Sequence, residues 1–163
     1  MQNSDAVVFG KYITFELDKQ EYGIHIDNIR EIIGMVPVTQ VPKTPDFVQG
    51  FINIRDKVIP VLDLRKRMGL TAKDYDERTP IIIAELPEDH TQTHIGVIVD
   101  SVSEVVEGTD ENISETPSFG IEVDTRFFSG VLRAEHQMTT LVNINEVLRD
   151  VEIDPELGDQ VEA

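Results

Sequence analysis

His90 and His94 stand four residues apart, a spacing at which two imidazoles can share one metal ion. Sharing needs a common helix face and a third ligand. Here the pair falls in a polar loop, EDHTQTH, with no third ligand evident. The acidic run that begins at Asp110 resembles a calcium loop in composition. It puts Glu115 at the sixth position, where the sharp turn requires glycine. Ser129 lies in FSG, without the leading glycine of the turn that exposes a nucleophilic serine. Neither the P-loop string nor GxGxxG occurs, so there is no phosphate-cradling loop. The absence of cysteine removes thiol nucleophiles, thiolate metal sites and disulfides. Glu85 and Glu88 read as surface acids, His25 as a structural strand residue and His136 as an exposed turn residue. None supplies the poised acid and base that proton transfer demands. The expectation is a non-enzymatic chain with no catalytic residue, no metal and no cofactor.

What remains is charge. The chain has a net charge of −17, yet Arg55, Lys57, Arg65, Lys66 and Arg67, five of its 14 basic residues, fall within Gly50–Leu70. That stretch reads as strand (Phe51–Ile54), charged turn, strand (Val58–Leu62) and short helix. Asp63 is placed to cap the helix and Gly69 to end it. Local positive charge on a rigid hairpin and helix fits a docking surface. A solvated helix face fits the same residues.

The remaining elements must position that stretch. Tyr12–Leu17 and Tyr22–Ile26 read as a hairpin, and Gly23 marks a bulge or a close backbone approach. Ile29, Ile32 and Ile33 have helical spacing behind a capping Asp27, which predicts a short helix through Gly34. Val36–Val41 is extended, and Pro42 and Pro45 keep the next loop out of helix. Pro80–Leu86 and Ile95–Val99 are apolar strands. Val102, Val105 and Val106 repeat the helical spacing over Ser101–Val106. Arg126–Arg133 and Met138–Val142 form another hairpin, and Asn143 caps a helix through about Leu148.

The chain also repeats itself. Tyr22–Ile33 aligns with Ile95–Val106, matching Gly23 to Gly96, Asp27 to Asp100 and Glu31 to Glu104. Phe47–Met68 aligns without a gap with Phe127–Leu148, matching Phe47 to Phe127, Gly50 to Gly130 and Asp63 to Asn143. Short strands, tight turns and no long helix predict small closed sheets sharing an interface. The basic residues of the first copy have no counterparts in the second, so the two faces differ.

Composition sets outer bounds. With 31 acidic against 14 basic residues, phosphate neutralisation is disfavoured, which argues against nucleic acid. No apolar run reaches membrane-spanning length, and the first residues lack the pattern of a secretory signal. A cytoplasmic location is expected.

Several strings carry a family resemblance. EYGIHIDNIREI, the P-x-T-P-x-F-x-x-G run at Pro42–Gly50, GFINIRDKVIPVLDLRKRMGL and GVIVDSVSEV are similar to the CheW-like domain, from about Tyr12 to Arg149. The resemblance implies a mainly β fold of two SH3-like five-stranded β-barrel subdomains with short helices around a shared hydrophobic core. It implies one domain over residues 9–152, with a first half at about 20–70, a second at about 80–149, and flexible termini at 1–8 and 153–163. It further implies a stand-alone adaptor for chemotaxis signal transduction, without catalytic activity. Such an adaptor couples the cytoplasmic tip of methyl-accepting chemoreceptors to the regulatory domain of the histidine kinase CheA in receptor arrays. An adaptor of a non-flagellar pathway, for pilus motility or surface sensing, fits the same strings. Receptor-binding positions carry over to Ile29, Gly50, Arg55, Gly96, Val105 and Gly130. Kinase-binding positions carry over to Ile26, Glu31, Ile32 and Phe119. Arg55 is expected to pair with Glu31 on the helix. The three glycines also suit backbone geometry or close packing. Asp56 departs from the glycine usual after the arginine, and His25 from a small, acidic or aliphatic residue.

Overall fold

The computed structural model describes residues 9–86, 94–115, 127–134 and 137–148. In chain order the strands are Gly10–Leu17 (β1), Gln20–His25 (β2), Ile29–Gly34 (β3), Val48–Ile54 (β4), Lys57–Asp63 (β5), Pro80–Glu85 (β6), His94–Ile98 (β7), Ser101–Gly108 (β8), Ile113–Ser114 (β9), Phe128–Ala134 (β10) and Gln137–Val142 (β11). Two short helices, Leu64–Arg67 (α1) and Ile144–Val147 (α2), follow β5 and β11. His90, Phe119 and His136 and the expected flexible termini, 1–8 and 153–163, lie outside the described residues.

The tight turns follow from local sequence. Asp18 and Lys19 join β1 to β2 with φ of 49° and 68°, and Arg55 and Asp56 join β4 to β5 with 48° and 68°. Two successive left-handed residues match the twist of a two-residue hairpin. The Asn53 side chain accepts from the Asp56 backbone N–H at 3.1 Å, which helps an aspartate hold this conformation. Asp63 caps α1 through Arg65 N–H, and Asn143 caps α2 through Glu146 N–H, as their positions predict.

The helix expected over Asp27–Gly34 does not form. Only a 3-10 turn at Ile26–Asn28 precedes β3. The β-branched isoleucines favour extended backbone, and β6 offers a ladder, with Ile29 opposite Ala84 and Gly34 opposite Pro80. Side chains therefore alternate, so Ile33 packs inward while Ile32 points out. Asp27 is not the cap either; the His25 side chain caps the turn by accepting from Asp27 N–H. The matching valines also lie in a strand, β8, which pairs with β1.

The strands make a six-stranded sheet, β8-β1-β2-β11-β10-β9, and a five-stranded sheet, β3-β6-β7-β5-β4. The former has one strand beyond the expected five. The six-stranded sheet takes β1 and β2 from the start of the chain and β8–β11 from its later part, while the five-stranded sheet is the continuous middle, β3–β7. β2 runs parallel to β11 with Gly23 beside Leu141, and β7 runs parallel to β5 with Gly96 beside Val61. The two hairpins share further detail. Both have a register shift just before the aligned glycine, at Val48/Gly50 and Phe128/Gly130. Phe47 O accepts from Asp63 N–H, and Phe127 O from Asn143 N–H, each at 2.7 Å.

The core has three parts. Phe15, Tyr22 and Ile24 of one sheet meet Ile82, Ala84 and Val97 of the other, with Leu64 and Val147 of the helices between them. Ile52, Val61, Ile81 and Ile98 fill the other face of the five-stranded sheet, and Tyr12, Ile113, Leu132 and Leu141 that of the six-stranded one. A fully buried aliphatic side chain contributes roughly 1.5–3 kcal/mol. The shared cluster thus binds the sheets into one unit.

Candidate functional site

Arg55 stands at the tip of the β4–β5 hairpin, with its side chain 72% exposed. It makes an ion pair with Glu31 of β3, whose side chain is 28% exposed. The pairing expected with Glu31 is present, but its carboxylate comes from a strand rather than a helix. Beside it lies a cleft of about 120 Å³ lined by Arg30, Glu31, Arg55, Lys57 and His94 over Ile54 and Ile83. Three cations and one carboxylate converge there, against the sign of the chain as a whole.

Apolar residues flank the pair. Ile26 is 37% exposed and Ile32 38%. Ile26 lies in the 3-10 turn before β3, and Glu31 and Ile32 lie on β3, the edge strand opposite the β4–β5 hairpin that carries Arg55. Ile29 is half-buried against the shared core. Val105 is 54% exposed on β8, at the place where Ile32 stands on β3 in the sequence repeat. Gly50, Gly96 and Gly130 are buried. A Cβ on Gly50 would sit 1.9 Å from Thr39 O, and one on Gly96 2.9 Å from the Ile81 side chain. Both glycines are thus fixed by close packing, and so is Gly23, whose Cβ would meet Leu141 and Thr139.

The basic face expected of α1 is largely internal. Arg65 is 1% exposed, giving its Nε and Nη2 to the two oxygens of Asp63 at 2.8 and 2.7 Å. Its Nη1 bonds Asp100 Oδ1 at 2.6 Å, and Asp100 Oδ2 accepts from Asp18 N–H at 2.7 Å. Tyr75 donates to Asp63 Oδ2 at 2.7 Å. Burial opposes charge on both partners, but their bonds outweigh it. Asp63 is held below the usual carboxylate range, and Arg65 stays firmly protonated. Arg67 lies between the rings of Phe47 and Phe127, 5.0 Å from each centroid, and donates to Val147 O. Of the five basic residues, Arg55, Lys57 and Lys66 are exposed. Sequence reasoning read Arg65 and Arg67 as surface charge; the signal that could have set them apart is that they align with the uncharged Asn145 and Val147.

Among the described residues no cluster of three His, Asp or Glu could hold a metal, and no helix is long and apolar enough to cross a membrane. His94 begins β7 opposite Glu85 rather than lying in a loop. Two β-sheets packed around a common core, with exposed isoleucines on the turn and strand that carry Glu31, make a surface suited to binding another protein.

Residues 11–152 match the CheW-like domain, and the chain belongs to that family of non-catalytic chemotaxis adaptors. It is 34% identical to the chemotaxis protein CheW of Klebsiella aerogenes over 143 residues, 88% of this chain and 84% of that one. It is 32% identical to a probable chemotaxis protein CheW of Rhizobium etli over 140 residues, 86% and 88% of the two chains. The crystal structure of the scaffolding protein TtCheW from Thermoanaerobacter tengcongensis superposes with a TM-score of 0.72 at 33% identity, covering 83% of this chain and 89% of that one.

Proposed function

We propose that this chain is a cytoplasmic coupling protein that links the tips of methyl-accepting chemoreceptors to the regulatory domain of CheA within receptor arrays. The observation that carries the reading is the family match over residues 11–152, which spans both sheets. The domain runs over residues 9–152, and its sheets close as two SH3-like barrels. The Arg55–Glu31 pair supports that closure, because it draws together elements from the two ends of the five-stranded sheet.

Receptor contacts fall to Ile29, Arg55 and Val105, with Gly50, Gly96 and Gly130 shaping the backbone beneath them. An amphipathic receptor helix would lay its apolar face on the surface and meet Arg55 at its rim. Kinase contacts fall to Ile26, Glu31, Ile32 and Phe119. The Arg55–Glu31 pair joins a receptor position to a kinase position, which offers a route by which one partner senses the other. No nucleic acid, cofactor or direct membrane insertion enters this function. Purified chain is expected to bind both a CheA regulatory domain and receptor tips. Binding to neither would overturn the proposal.

A further inference from the structure

Two hydrogen bonds fix the proton on the ring of His25, and we propose that a second proton there switches the start of β3 between two capping arrangements. Nδ1 accepts from the backbone N–H of Asp27 at 3.1 Å, so it carries no proton. Nε2 therefore holds the proton and donates it to the Phe9 carbonyl at 3.0 Å. The ring is packed edge-on against Tyr12, with centroids 5.0 Å apart, and the side chain is only 13% exposed. With Nε2 already carrying a proton, a second one must go to Nδ1. There it meets the Asp27 N–H donor to donor, and the backbone cap is lost.

A replacement acceptor stands close by. Asp27 Oδ2 lies 3.7 Å from Nδ1, on a side chain that is 85% exposed and can rotate to meet the new N–H. Protonation thus exchanges a backbone cap for a side-chain ion pair. The 3-10 turn at Ile26–Asn28 loses its N-terminal bond, while the Ile29 N–H to Ile26 O bond remains at its other end. Among the described residues, these charged and titratable groups stand around the ring and its turn. The turn brings the Asp27 carboxylate, and β1 brings the Tyr12 phenol, which burial keeps neutral. β6 packs against the turn and ends in Glu85. Ile26 lies within the turn, and Glu31 and Ile32 follow on β3. The consequence for binding rests on the kinase-contact reading above, whereas the switch itself does not.

NMR titration of the full chain from pH 8 to 5.5 tests the switch. At pH 8 the His25 ring should show its proton on Nε2. As the ring titrates, the Asp27 amide and the Ile26 methyl signals should shift with the same midpoint. In His25→Asn, whose Oδ1 can keep the cap without titrating, both signals should stay still. A ring with its proton on Nδ1 at pH 8 would overturn the proposal, as would an Asp27 amide that ignores the titration. Binding separates the two readings. Affinity for the CheA regulatory domain should fall about fivefold more in the native chain than in His25→Asn over this range, the size of a lost cap. Equal pH dependence in both would sever the switch from docking. Absence of kinase binding at every pH would overturn the function and leave the switch to the NMR result.

Discussion

Arg55 and Glu31 come from elements at opposite ends of the five-stranded sheet, and their side chains meet in an ion pair. The hairpin tip therefore folds over toward β3. Because the pair is largely exposed, it contributes only about 0–1 kcal/mol to stability. Its charge is available to a partner.

Arg55→Glu should leave the fold intact while weakening receptor-tip binding at least tenfold, since it sets two carboxylates side by side. Calorimetric titration against receptor tips measures the loss, and circular dichroism checks the fold. Combining it with Glu31→Arg should recover part of the affinity. Unchanged receptor affinity in Arg55→Glu would remove the residue from the interface.

Asp100 and Arg65 form a second link of a different kind. Asp100 lies where the chain passes from β7 to β8, and its two oxygens hold Arg65 and the β1–β2 turn. Both charges are buried. Asp100→Ala should cost about 1–3 kcal/mol in urea unfolding, because Arg65 Nη1 and Asp18 N–H lose their acceptor while Asp63 still holds the other side of the guanidinium. A loss under 1 kcal/mol would show that water or another carboxylate replaces it.

How much of this was legible in the sequence depends on distance along the chain. The hairpins around Asp18 and Arg55 and the caps Asp63 and Asn143 depend on neighbours, and their residue types announce them. β3 and β8 were misread because a short run of β-branched residues at i, i+3 and i+4 satisfies helical spacing, whereas pairing with β6 and β1 decides the backbone. The exposed look of Arg65 failed for the same reason. One of its carboxylates is two residues away, but the other is 35 residues away, across the boundary between the sheets. The exchange of β2 and β7 between the sheets likewise follows from long-range parallel pairing. Asp56 takes the left-handed turn that glycine would occupy, with Asn53 supporting it.

Gly50 separates packing from docking among the candidate glycines. Its φ is +139°, and a Cβ there would reach 1.9 Å from Thr39 O. Gly50→Ala should cost more than about 3 kcal/mol, through strain and displacement of the Thr39–Phe51 bridge. Gly69, with φ +74° and open space around it, is the control, and Gly69→Ala should cost about 1 kcal/mol. Equal melting temperatures for the two variants would contradict the packing account.

Acid sensitivity follows from Asp63. Its carboxyl is held below its unfolded value, so its stabilisation is fully present above about pH 4. That contribution is lost as pH falls through the folded value. Urea unfolding at pH 7 and pH 3 should show a large drop in the native chain. Asp63→Asn should be weaker at pH 7 and fall less between the two. A parallel fall in both would assign the acid loss to other carboxylates.

The central claim is that one small, non-catalytic chain joins two partners. Co-sedimentation of CheA with assembled receptor tips, with and without this chain, measures it directly. The account predicts that CheA reaches the pellet when the chain is present and far less without it, and that Arg55→Glu reduces the recovery. CheA recovery that is indifferent to the chain would contradict the account.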